Sequence, residues 1–581
     1  MLSVMGSQVI LGALLLYLNL FITHSSAAQQ QPLHTVIDAA PKRVAVIGRL
    51  QIQPKTTCKM IKVIGENETN VSFEGAGAGG SFAAYELRKL ADASNIPVNV
   101  TVFERASYIG GRSTTVNAFD DSAYPIELGA SIFVEINENL MNASRALGLD
   151  IRGADHFRPK ETEESIGIWD GSHFVFTLKN DSSWWNIGRL IWRYGLAPIR
   201  TQNLMKSVVG KFLKLYQEPL FPFRSLSEAA EAVDLLDVTA SPGDAFLEAN
   251  SISELFAREI IQASTRVNYG QNLPLIHGLE SMVCMATDGA VSIPGGNWRI
   301  FDGVLQAAKA DVRLNTTVTE IVKTNNGAVQ ISSKPTSDLD STTPDESEFD
   351  EVIIAGPLQY SGISISPPLQ HIPDDIPYVK LHVTLFASPH RISPEFFGLR
   401  GKNAHAPETI LTTLPEGHNL GSNPKGVGPA DFWSISTLRT VSRFVEKEDG
   451  EKQREDHYVY KIFSPERPTA EFIAQVFGIE YSHGTSGSVT IAPDNTTIGD
   501  LPNGEISWFH EKVWHPYPLL YPRVTFEDTL LAPSIWYTSG IESFISTMET
   551  SALMGRNVAA LMVRSWQREK YERGVTGKIE L

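Results

Sequence analysis

Apolar runs and helical spacing alternate along the first part of the chain. The segments Arg43–Gly48 (RVAVIG) and Val98–Phe103 have the length and side chains of strands. Between them, residues 81–90 place their apolar side chains on one face of a helix. This order of strand, helix and strand predicts an α/β fold.

Later segments extend this pattern. Asp350–Pro357 (DEVIIAGP) contains an apolar run that is typical of a fully buried strand. Residues 131–284 show helical periodicity and many aromatic side chains, whereas residues 361–520 begin with the strand-like segment Tyr378–Phe386. We therefore expect a second, interleaved α+β unit, in which a sheet with covering helices encloses a cavity.

Three glycines stand where the first predicted helix begins. Gly75, Gly77 and Gly80 have the spacing G-x-G-x-x-G, which is informative because a helix follows it. Gly75 permits a tight turn, Gly77 lets the backbone approach a pyrophosphate, and Gly80 lets the helix pack closely on the sheet. Glu104, at the end of the next predicted strand, can accept hydrogen bonds from ribose hydroxyls. These features predict a dinucleotide site at the N-terminus of the helix.

The first predicted strand is separated from these glycines. Residues 49–74 lie between them and are polar, with no clear amphipathic period. Joining Ile47 directly to Gly75 would give the uninterrupted segment RVAVIGAGAGG. We therefore interpret residues 49–74 as an insertion at the phosphate turn, of the kind that an unspliced intron produces. The competing interpretation makes Met60–Ile64 or Val71–Phe73 the first strand.

A second pattern follows Glu104. The segment Glu104–Arg112 has the spacing E-R-x4-G-G-R. It resembles the second signature of the glutathione-reductase-like FAD superfamily, especially its amine-oxidase-like branch. The resemblance implies an arginine that donates charge-assisted hydrogen bonds to the diphosphate, and small residues that leave room for the flavin ring. The residues expected to contact FAD in these ways are Arg105, Gly111, Arg112, Gly129 and Ala130.

Two distant segments resemble parts of the same FAD fold. Residues 312–321 resemble a strand whose backbone contacts adenine at Val318, and residues 535–542 resemble the last strand and a flavin-contacting turn, with Gly540 and Glu542. The predicted helix Thr547–Met562 can direct its N-terminal dipole at the ring. The FAD-binding domain is then discontinuous. We predict a signal peptide at 1–28, FAD-binding parts at 41–130, 285–360 and 523–565, and substrate-domain parts at 131–284 and 361–522.

Composition narrows the range of partners. The net charge of -17 argues against nucleic acid and against electrostatic binding to an anionic membrane. The acidic run Ser337–Glu351 predicts a solvated loop. Cys58 and Cys284 are the only cysteines, and no metal-ligand motif such as H-E-x-x-H occurs, so neither a disulfide framework nor a metal site is expected. We expect Cys284 to be a buried small hydrophobe rather than a reactive thiol.

The N-terminal residues indicate the secretory pathway. The apolar stretch Val9–Ile22 is followed by small residues at 25–28, which predicts a signal peptide, although no Lys or Arg precedes Lys42 and an uncleaved anchor is the alternative. No later window is apolar for long enough to span a bilayer. Asn99 lies in a predicted buried strand, so we expect its sequon to be unused. The N-x-S/T sequons are at Asn67, Asn70, Asn99, Asn142, Asn180, Asn315 and Asn495.

The substrate half contains blocks that resemble one family. They are similar to blocks of the prenylcysteine oxidases, also called prenylcysteine lyases, and with the nucleotide blocks the resemblance covers roughly residues 41–565. It implies FAD-dependent oxidation of farnesyl- or geranylgeranyl-cysteine by molecular oxygen to cysteine, a prenyl aldehyde and hydrogen peroxide. It also implies a lysosomal or vacuolar lumen, or secretion. The blocks are Trp192–Gly195, Arg266–Gln271, Gly295–Asn297, Tyr460–Ser464 and Gly540–Glu542.

The implied chemistry requires no strong protein base. A hydride leaves the carbon next to sulfur for flavin N5, and sulfur and the allylic double bond both stabilise the resulting cation. We therefore assign no general acid or base. Trp192 and Tyr269 are candidate cavity residues, while His277 and His515 are expected to be surface or hydrogen-bonded structural residues.

Two other functions share parts of these patterns. An FAD-dependent amine or amino-acid oxidase shares the FAD signatures but needs an amine pocket, and the substrate-half blocks count against it. A non-catalytic prenyl carrier like the Rab GDP-dissociation inhibitors shares the dinucleotide fold without flavin. The predicted signal peptide and the intact segments Gly111–Arg112 and Gly540–Glu542 count against that carrier.

Overall fold

The computed structural model describes most of the chain between residues 41 and 579. The predicted signal peptide, the suspected insertion with Cys58, and the competing first strands Met60–Ile64 and Val71–Phe73 lie outside the described residues. The described ranges are 41–48, 75–153, 165–179, 183–340, 343–418, 423, 426–446, 452–481 and 496–579.

The described strands form sheets of six, four, seven, two and three strands. In chain order the strands are Lys42–Ile47, Val98–Phe103, Thr115–Asn117, Pro125–Glu127, Phe133–Val134, Arg152–Gly153, Ser165–Trp169, Phe174–Lys179, Ala290–Ser292, Asp311–Arg313, Thr316–Lys323, Val329–Pro335, Asp345–Phe349, Glu351–Ile354, Ser364–Ser366, Leu381–Ser388, Thr409–Thr412, Ser434–Glu446, Lys452–Ser464, Trp508–Trp514, Leu530–Ala532 and Ile535–Tyr537.

The described α-helices pack against the six-stranded and seven-stranded sheets. In chain order they are Ala78–Ala93, Glu138–Ala146, Ser183–Tyr194, Ala197–Leu213, Leu226–Ala232, Leu236–Ala240, Gly243–Ala249, Glu254–Phe256, Gln262–Tyr269, Gly278–Val283, Trp298–Ala307, Ala470–Phe477 and Met548–Ile579. We call Ala78–Ala93 the glycine helix and Met548–Ile579 the long helix.

The six-stranded sheet confirms the predicted α/β fold. Five of its strands are parallel and an antiparallel strand closes one edge. Val44 to Ile47 are fully buried because strands flank this central strand on both sides, helices cover one face of the sheet and the four-stranded sheet covers the other. The long helix packs so tightly on the glycine helix that a Cβ at Gly555 would lie 2.2 Å from Gly79 O. The strand order is Asp311–Arg313, Val98–Phe103, Lys42–Ile47, Glu351–Ile354, Ile535–Tyr537, Leu530–Ala532.

These six strands come from three separated stretches of the chain, residues 42–103, 311–354 and 530–537. Such a sheet closes only when segments far apart in sequence have come together. The segment 312–321, expected to be one strand, is divided into two by a turn at Asn315, whose φ is 54°.

The seven-stranded sheet forms the second unit. The predicted strand Tyr378–Phe386 is observed as Leu381–Ser388, at the interior of this sheet. Residues 131–284 are mainly helical, as predicted, but they also supply two strands of this sheet, Ser165–Trp169 and Phe174–Lys179. The buried side chains of these two strands pack against the helices of the same region. The hydrophobic core between this sheet and its helices also forms much of the cavity wall.

The structure corrects two expectations about polar segments. The acidic run at 337–351 is not entirely a loop, because Asp345–Phe349 pairs antiparallel with Val329–Pro335. Its acidic side chains remain exposed along this edge strand, which charged residues protect from further pairing. Asn99 lies within the sheet, yet its side chain is exposed. In the described part of the chain, no helix combines the length and apolarity needed to cross a bilayer.

Candidate active site

The first strand and the glycine turn meet although residues 49–74 separate them in sequence. Gly48 N donates a hydrogen bond to Phe103 O at 3.2 Å. A Cβ at Gly75 would lie 2.3 Å from the same oxygen and 2.7 Å from Gly48 N. Gly75 therefore occupies the turn directly after Lys42–Ile47, and only glycine fits there. Lys42–Ile47 is the strand that the nucleotide turn requires.

The glycine helix begins at the wall of a cavity. Gly77 is its N-cap, no side chain caps the first turn, and that turn contains no acidic residue. Gly77, Ala78 and Gly79 line the cavity, so the N–H groups of the first turn are directed at it. A Cβ at Gly80 would lie 1.9 Å from Gly75 O, which explains the third glycine by close packing. The turn has the form of an anion site built from backbone groups.

Glu104 is fixed at the end of its strand, next to this turn. Its carboxylate oxygens accept hydrogen bonds from Ala76 N at 2.9 Å and Ala106 N at 2.7 Å. A carboxylate oxygen can accept more than one hydrogen bond, so this side chain has the chemistry that a ribose hydroxyl requires. Glu104 O also accepts from Thr316 N at 2.9 Å, which brings the strand containing Val318 to the same edge. Arg105 is buried beside it.

Arg112 and Glu542, predicted from distant segments, are in direct contact. The guanidinium donates to both carboxylate oxygens of Glu542, at 2.7 and 2.9 Å, and to Pro516 O at 2.8 Å. Both residues line the cavity. In this arrangement the charge of Arg112 is balanced by a carboxylate instead of being directed at the glycine turn. Gly540 lies in the turn Ser539–Ser543, where a Cβ would lie 2.8 Å from the Cβ of Glu527.

Small residues face an aromatic side chain at another part of the wall. A Cβ at Gly129 would lie 2.7 Å from the Trp514 ring. Asn297 Nδ2 donates to Ala130 O at 2.9 Å, and Asn297 N donates to Glu127 Oε1 at 2.7 Å, so Asn297 fixes this turn. The neighbouring signature adopts glycine-favouring conformations, with φ of 109° at Gly110 and 63° at Gly111.

A cavity of about 290 Å³ joins these parts. It extends from the glycine turn to the N-terminal turn of the long helix, where Met548 to Ser551 form part of the wall. Apolar and aromatic side chains dominate the remainder. They include Val209, Phe212, Tyr216, Val267, Tyr269, Ile545 and Tyr517. The cavity therefore has a backbone-lined polar end and an apolar end.

Tyr269 lines the cavity, as predicted, and Glu280 lies behind it. The Tyr269 hydroxyl donates to Ser546 O at 3.2 Å, and its ring packs edge-on against Tyr517 with centroids 5.0 Å apart. Glu280 is fully buried, and burial raises the pKa of its carboxyl from 4.5 to about 8. Glu280 is therefore a protonated acid at neutral pH. The sequence analysis did not predict an acidic side chain next to Tyr269.

Lys461 is a second functional candidate that the sequence reasoning missed. Its ammonium donates to Glu127 O at 2.8 Å and to Ser131 Oγ at 3.3 Å, and the side chain lines the cavity. Burial lowers the Lys461 pKa to about 8 and raises the Glu127 pKa to about 7. In sequence, Lys461 was part of a family-like block, but its position in a strand gave no sign of burial.

Trp192 is not a cavity residue. Its side chain is 88% exposed and does not line the cavity. The helix Ser183–Tyr194 buries Leu190 and Tyr194 instead, and position 192 points away from that face because successive helical residues are about 100° apart. Arg193 of the same block forms a bidentate ion pair with Glu259, at 2.7 and 2.8 Å.

Other residues in the family-like blocks support the cavity wall. Arg266 is fully buried and donates to Thr412 Oγ1 at 3.0 Å and Asn272 Oδ1 at 2.9 Å. His277 is buried, not on the surface, and its Nδ1 accepts from Glu280 N at 3.2 Å. His515 is also buried. Cys284 is buried in the cavity wall, where desolvation raises its thiol pKa, which agrees with an unreactive thiol.

Comparison of the sequence with known proteins identifies its family. Residues 177–573 match the prenylcysteine lyase family, and residues 75–147 match an NAD(P)-binding Rossmann-like domain. Prenylcysteine oxidase 1 of Homo sapiens is 27% identical over 523 residues, covering 85% of this chain and 89% of that protein. Farnesylcysteine lyase of Arabidopsis thaliana is 25% identical over 516 residues, covering 86% and 89%.

A solved structure shows a similar fold. A triple mutant of putrescine oxidase superposes with a TM-score of 0.50 and 13% identity, over 90% of this chain and 99% of that one. At this identity the likeness concerns the fold alone. The family match, in contrast, spans more than half of the sequence, and it confirms the resemblance drawn from the blocks. This chain belongs to the prenylcysteine lyase family.

Proposed function

We propose that this protein is an FAD-dependent thioether oxidase that cleaves S-prenyl-L-cysteine to cysteine, a prenyl aldehyde and hydrogen peroxide, with molecular oxygen as the acceptor. The observation that carries the proposal is a single cavity, in a member of the prenylcysteine lyase family, that joins an uncapped helix N-terminus at a glycine turn to an apolar chamber. The substrate is farnesyl- or geranylgeranyl-cysteine.

The residues present fit FAD. The backbone N–H groups at Gly77 to Gly79 suit the diphosphate, and the fixed carboxylate of Glu104 suits the adenosine ribose. The N-terminal turn of the long helix lines the same cavity, where its dipole stabilises negative charge on a flavin ring. When bound, FAD supplies hydride acceptance and passes the electrons to oxygen.

The apolar end of the cavity binds and orients the isoprenoid chain. Val209, Phe212 and Val267 present hydrocarbon surface there, and removing apolar surface from water contributes about 25 cal/mol per Å². This wall also keeps water away from the reacting carbon until the allylic position is aligned. Held in this way, the substrate presents its thioether toward the polar end.

Lys461 is the cation in the wall best suited to the carboxylate of the cysteine moiety. Arg112 also lines the cavity, but Glu542 balances its charge through two hydrogen bonds. Lys461 bonds a backbone carbonyl and a hydroxyl, so its charge is not cancelled by an ionised partner while Glu127 is protonated. Below pH about 7 Glu127 is neutral and Lys461 is protonated, since their pKa values lie at about 7 and 8.

Tyr269 and Glu280 hold a proton at the wall. The cysteine sulfur leaves as a thiolate that must be protonated, and the addition of water to the oxidised carbon releases a proton. Glu280 is protonated below pH about 8 and lies behind the Tyr269 hydroxyl, which borders the cavity. These two residues are positioned to exchange that proton with the reacting groups.

We also propose that the protein works in an acidic lumen of the secretory pathway, as a glycoprotein of the lysosome or vacuole, or after secretion. The apolar stretch Val9–Ile22 supports a signal peptide. The described sequon asparagines, Asn99, Asn142 and Asn315, all have exposed side chains, so Asn99 is as accessible as the others. Buried carboxyls with raised pKa values are neutral in an acidic lumen, which favours the folded state there.

The test is to purify the protein and measure flavin absorbance and peroxide release together. We expect a yellow protein that releases peroxide and cysteine with farnesylcysteine, but not with polyamines or amino acids. Peroxide from an amine instead would identify an amine oxidase. A protein that stays colourless after incubation with FAD, yet binds farnesylcysteine, would identify a prenyl carrier. Either result would overturn the proposed reaction.

A further inference from the structure

One stretch of the chain has a charge opposite to that of the whole molecule. Residues 183–217 contain no acidic residue, in a protein of net charge -17. The helices Ser183–Tyr194 and Ala197–Leu213 make up most of this stretch. Its basic residues are Arg189, Arg193, Arg200, Lys206, Lys211 and Lys214. Three of these cations have an acidic neighbour from another part of the chain: Glu259 pairs with Arg193, Asp234 pairs with Lys211, and Asp288 interacts electrostatically with Lys206. Acidic residues farther away than about 8 Å are screened from a ligand at this surface.

The same stretch exposes large apolar side chains. Trp192 is 88% exposed, the highest value among the large hydrophobic residues of the described chain. Leu196 is 57% exposed and Ile191 is 42% exposed. We call Ile191, Trp192 and Leu196 the apolar ridge. Three such residues within one short segment are unusual for a surface that faces only water.

The opposite face of both helices is anchored in the core. Leu190, Tyr194, Met205 and Phe212 are buried in one hydrophobic cluster, which also contains Tyr269 of the cavity wall. The helices are therefore held in place without the apolar ridge, whose exposure contributes nothing to folding. A surface that is costly in water and unnecessary for the core points to a ligand outside the chain.

We infer that these two helices form a docking face for an anionic phospholipid bilayer. An in-plane helix places Trp and aliphatic side chains at the acyl boundary, while Arg and Lys contact the headgroups. Trp192, Leu196 and Ile191 supply the first element. The exposed cations Arg189 and Lys206 supply the second, and Asp288 offsets part of the charge of Lys206. Arg193 adds less, because Glu259 balances its charge.

Charge favours the bilayer over a second copy of this chain. In a two-fold dimer the same face meets itself, so the cations of one copy would face the cations of the other. An anionic bilayer instead pairs with them and accepts the apolar ridge at the same time. The negative net charge, which argues against membrane binding for the chain as a whole, is thus not decisive for this face.

The docking face shares a helix with the cavity. Val209 and Leu213 of Ala197–Leu213 are half-buried and line the cavity, and Ile136, which is 46% exposed, lines it as well. Docking would therefore bring the bilayer to one wall of the cavity. A prenyl chain dissolved in the bilayer would then reach the cavity along that wall. This consequence rests on the proposed function.

The experiment measures sedimentation of the purified full-length protein with vesicles of phosphatidylcholine, with or without phosphatidylserine. We expect binding to the vesicles with phosphatidylserine, and release by salt. Trp192→Ala should weaken binding at least about tenfold, since an aromatic ring leaves the acyl boundary. The double variant Arg189→Gln/Lys206→Gln should weaken it by about fivefold for each charge removed.

Matched controls change equivalent residues elsewhere. Phe444→Ala removes another exposed ring, which is 74% exposed, and Arg145→Gln/Lys402→Gln removes two other exposed cations. These variants should bind as the wild type does. Thermal melting without lipid shows that each variant is folded. Activity is not measured, so the result is independent of the oxidase proposal.

Three results would overturn the inference. Absence of binding to the anionic vesicles, or equal binding by Trp192→Ala and Phe444→Ala, would exclude a lipid contact at the apolar ridge. A dimer in the absence of lipid that Trp192→Ala converts to a monomer would assign the ridge to self-association instead.

Discussion

The two ends of the cavity are lined by different chemical groups. At the glycine turn the contacting groups are backbone N–H groups of Gly77 to Gly79, fixed by the strand and the helix. At the other end the contacting groups are side chains, and buried ionisable residues such as Glu280 and Lys461 stand among apolar ones. One end depends on main-chain geometry, the other on burial.

This difference determines how each end responds to change. Backbone N–H groups do not titrate, so the nucleotide end should be indifferent to pH but sensitive to any added Cβ. The apolar end of the cavity can tolerate changes of side-chain shape more readily. The charges of its ionisable side chains depend on pH, because burial has moved their pKa values toward neutrality. Three variants can break or sharpen this contrast.

The largest effect is expected from Gly77→Val. The backbone at Gly77, with φ -79° and ψ -171°, is one that valine adopts, so the fold should persist. The branched side chain would occupy the position of the phosphates, and we expect flavin binding to be abolished. The measurement is the flavin absorbance per protein after dialysis with FAD. Gly210→Val is the matched control, because a Cβ there meets nothing within 4 Å. Full flavin content in Gly77→Val would contradict the site.

A smaller gain is expected from deleting residues 48–74. Gly48 and Gly75 already meet, so joining Ile47 to Gly75 should leave the sheet unchanged. Bringing together two chain ends that are separated by this many residues costs about 3 kcal/mol of conformational entropy, which the deletion would remove. We expect a higher melting temperature and tighter FAD binding, measured by calorimetry. Lower flavin content in the deletion variant would show that these residues contribute to the site.

The smallest effect is expected from Glu280→Gln, and it is the effect most specific to the apolar end of the cavity. Native Glu280 retains its proton up to pH about 8, whereas the unfolded chain loses it near pH 4.5. The native state therefore binds more protons in this window, and its stability falls as pH rises. The unfolding free energy of the wild type relative to Glu280→Gln should fall by about 1.4 kcal/mol per pH unit between these values.

Urea unfolding at a series of pH values measures this difference. The control Glu248→Gln replaces an exposed glutamate and should leave the pH dependence as in the wild type. A difference between wild type and Glu280→Gln that stays constant from pH 5 to 8 would show that Glu280 is not held protonated.

Local patterns were sufficient to predict the main chain at the glycine turn. The roles of Gly75 and Gly80 follow from the main chain around them, and the observed Cβ clashes have the same causes as the predicted close approaches. The strand Lys42–Ile47 and the long helix were also predicted, although the helix continues to Ile579, beyond the expected Met562. Each of these features depends on residues close together in sequence.

The apolar end of the cavity could not be predicted in the same way. Trp192, part of a family-like block, was expected in the cavity, but which face of a helix is buried depends on what packs against it. Glu280 resembles a surface glutamate in sequence, and its burial results from contacts with distant residues such as Ser546. The strand Asp345–Phe349 was missed because it pairs along an exposed edge, where polar side chains carry no periodic signal.

The order of strands in the six-stranded sheet has a consequence for biosynthesis. Lys42–Ile47 emerges early from the ribosome, but its neighbour Glu351–Ile354 is made much later, and Ile535–Tyr537 and the long helix follow near the end of translation. A nascent chain therefore exposes an unpaired apolar strand edge for most of its synthesis, which calls for chaperone protection. FAD can be enclosed only after the ribosome has delivered nearly the whole polypeptide.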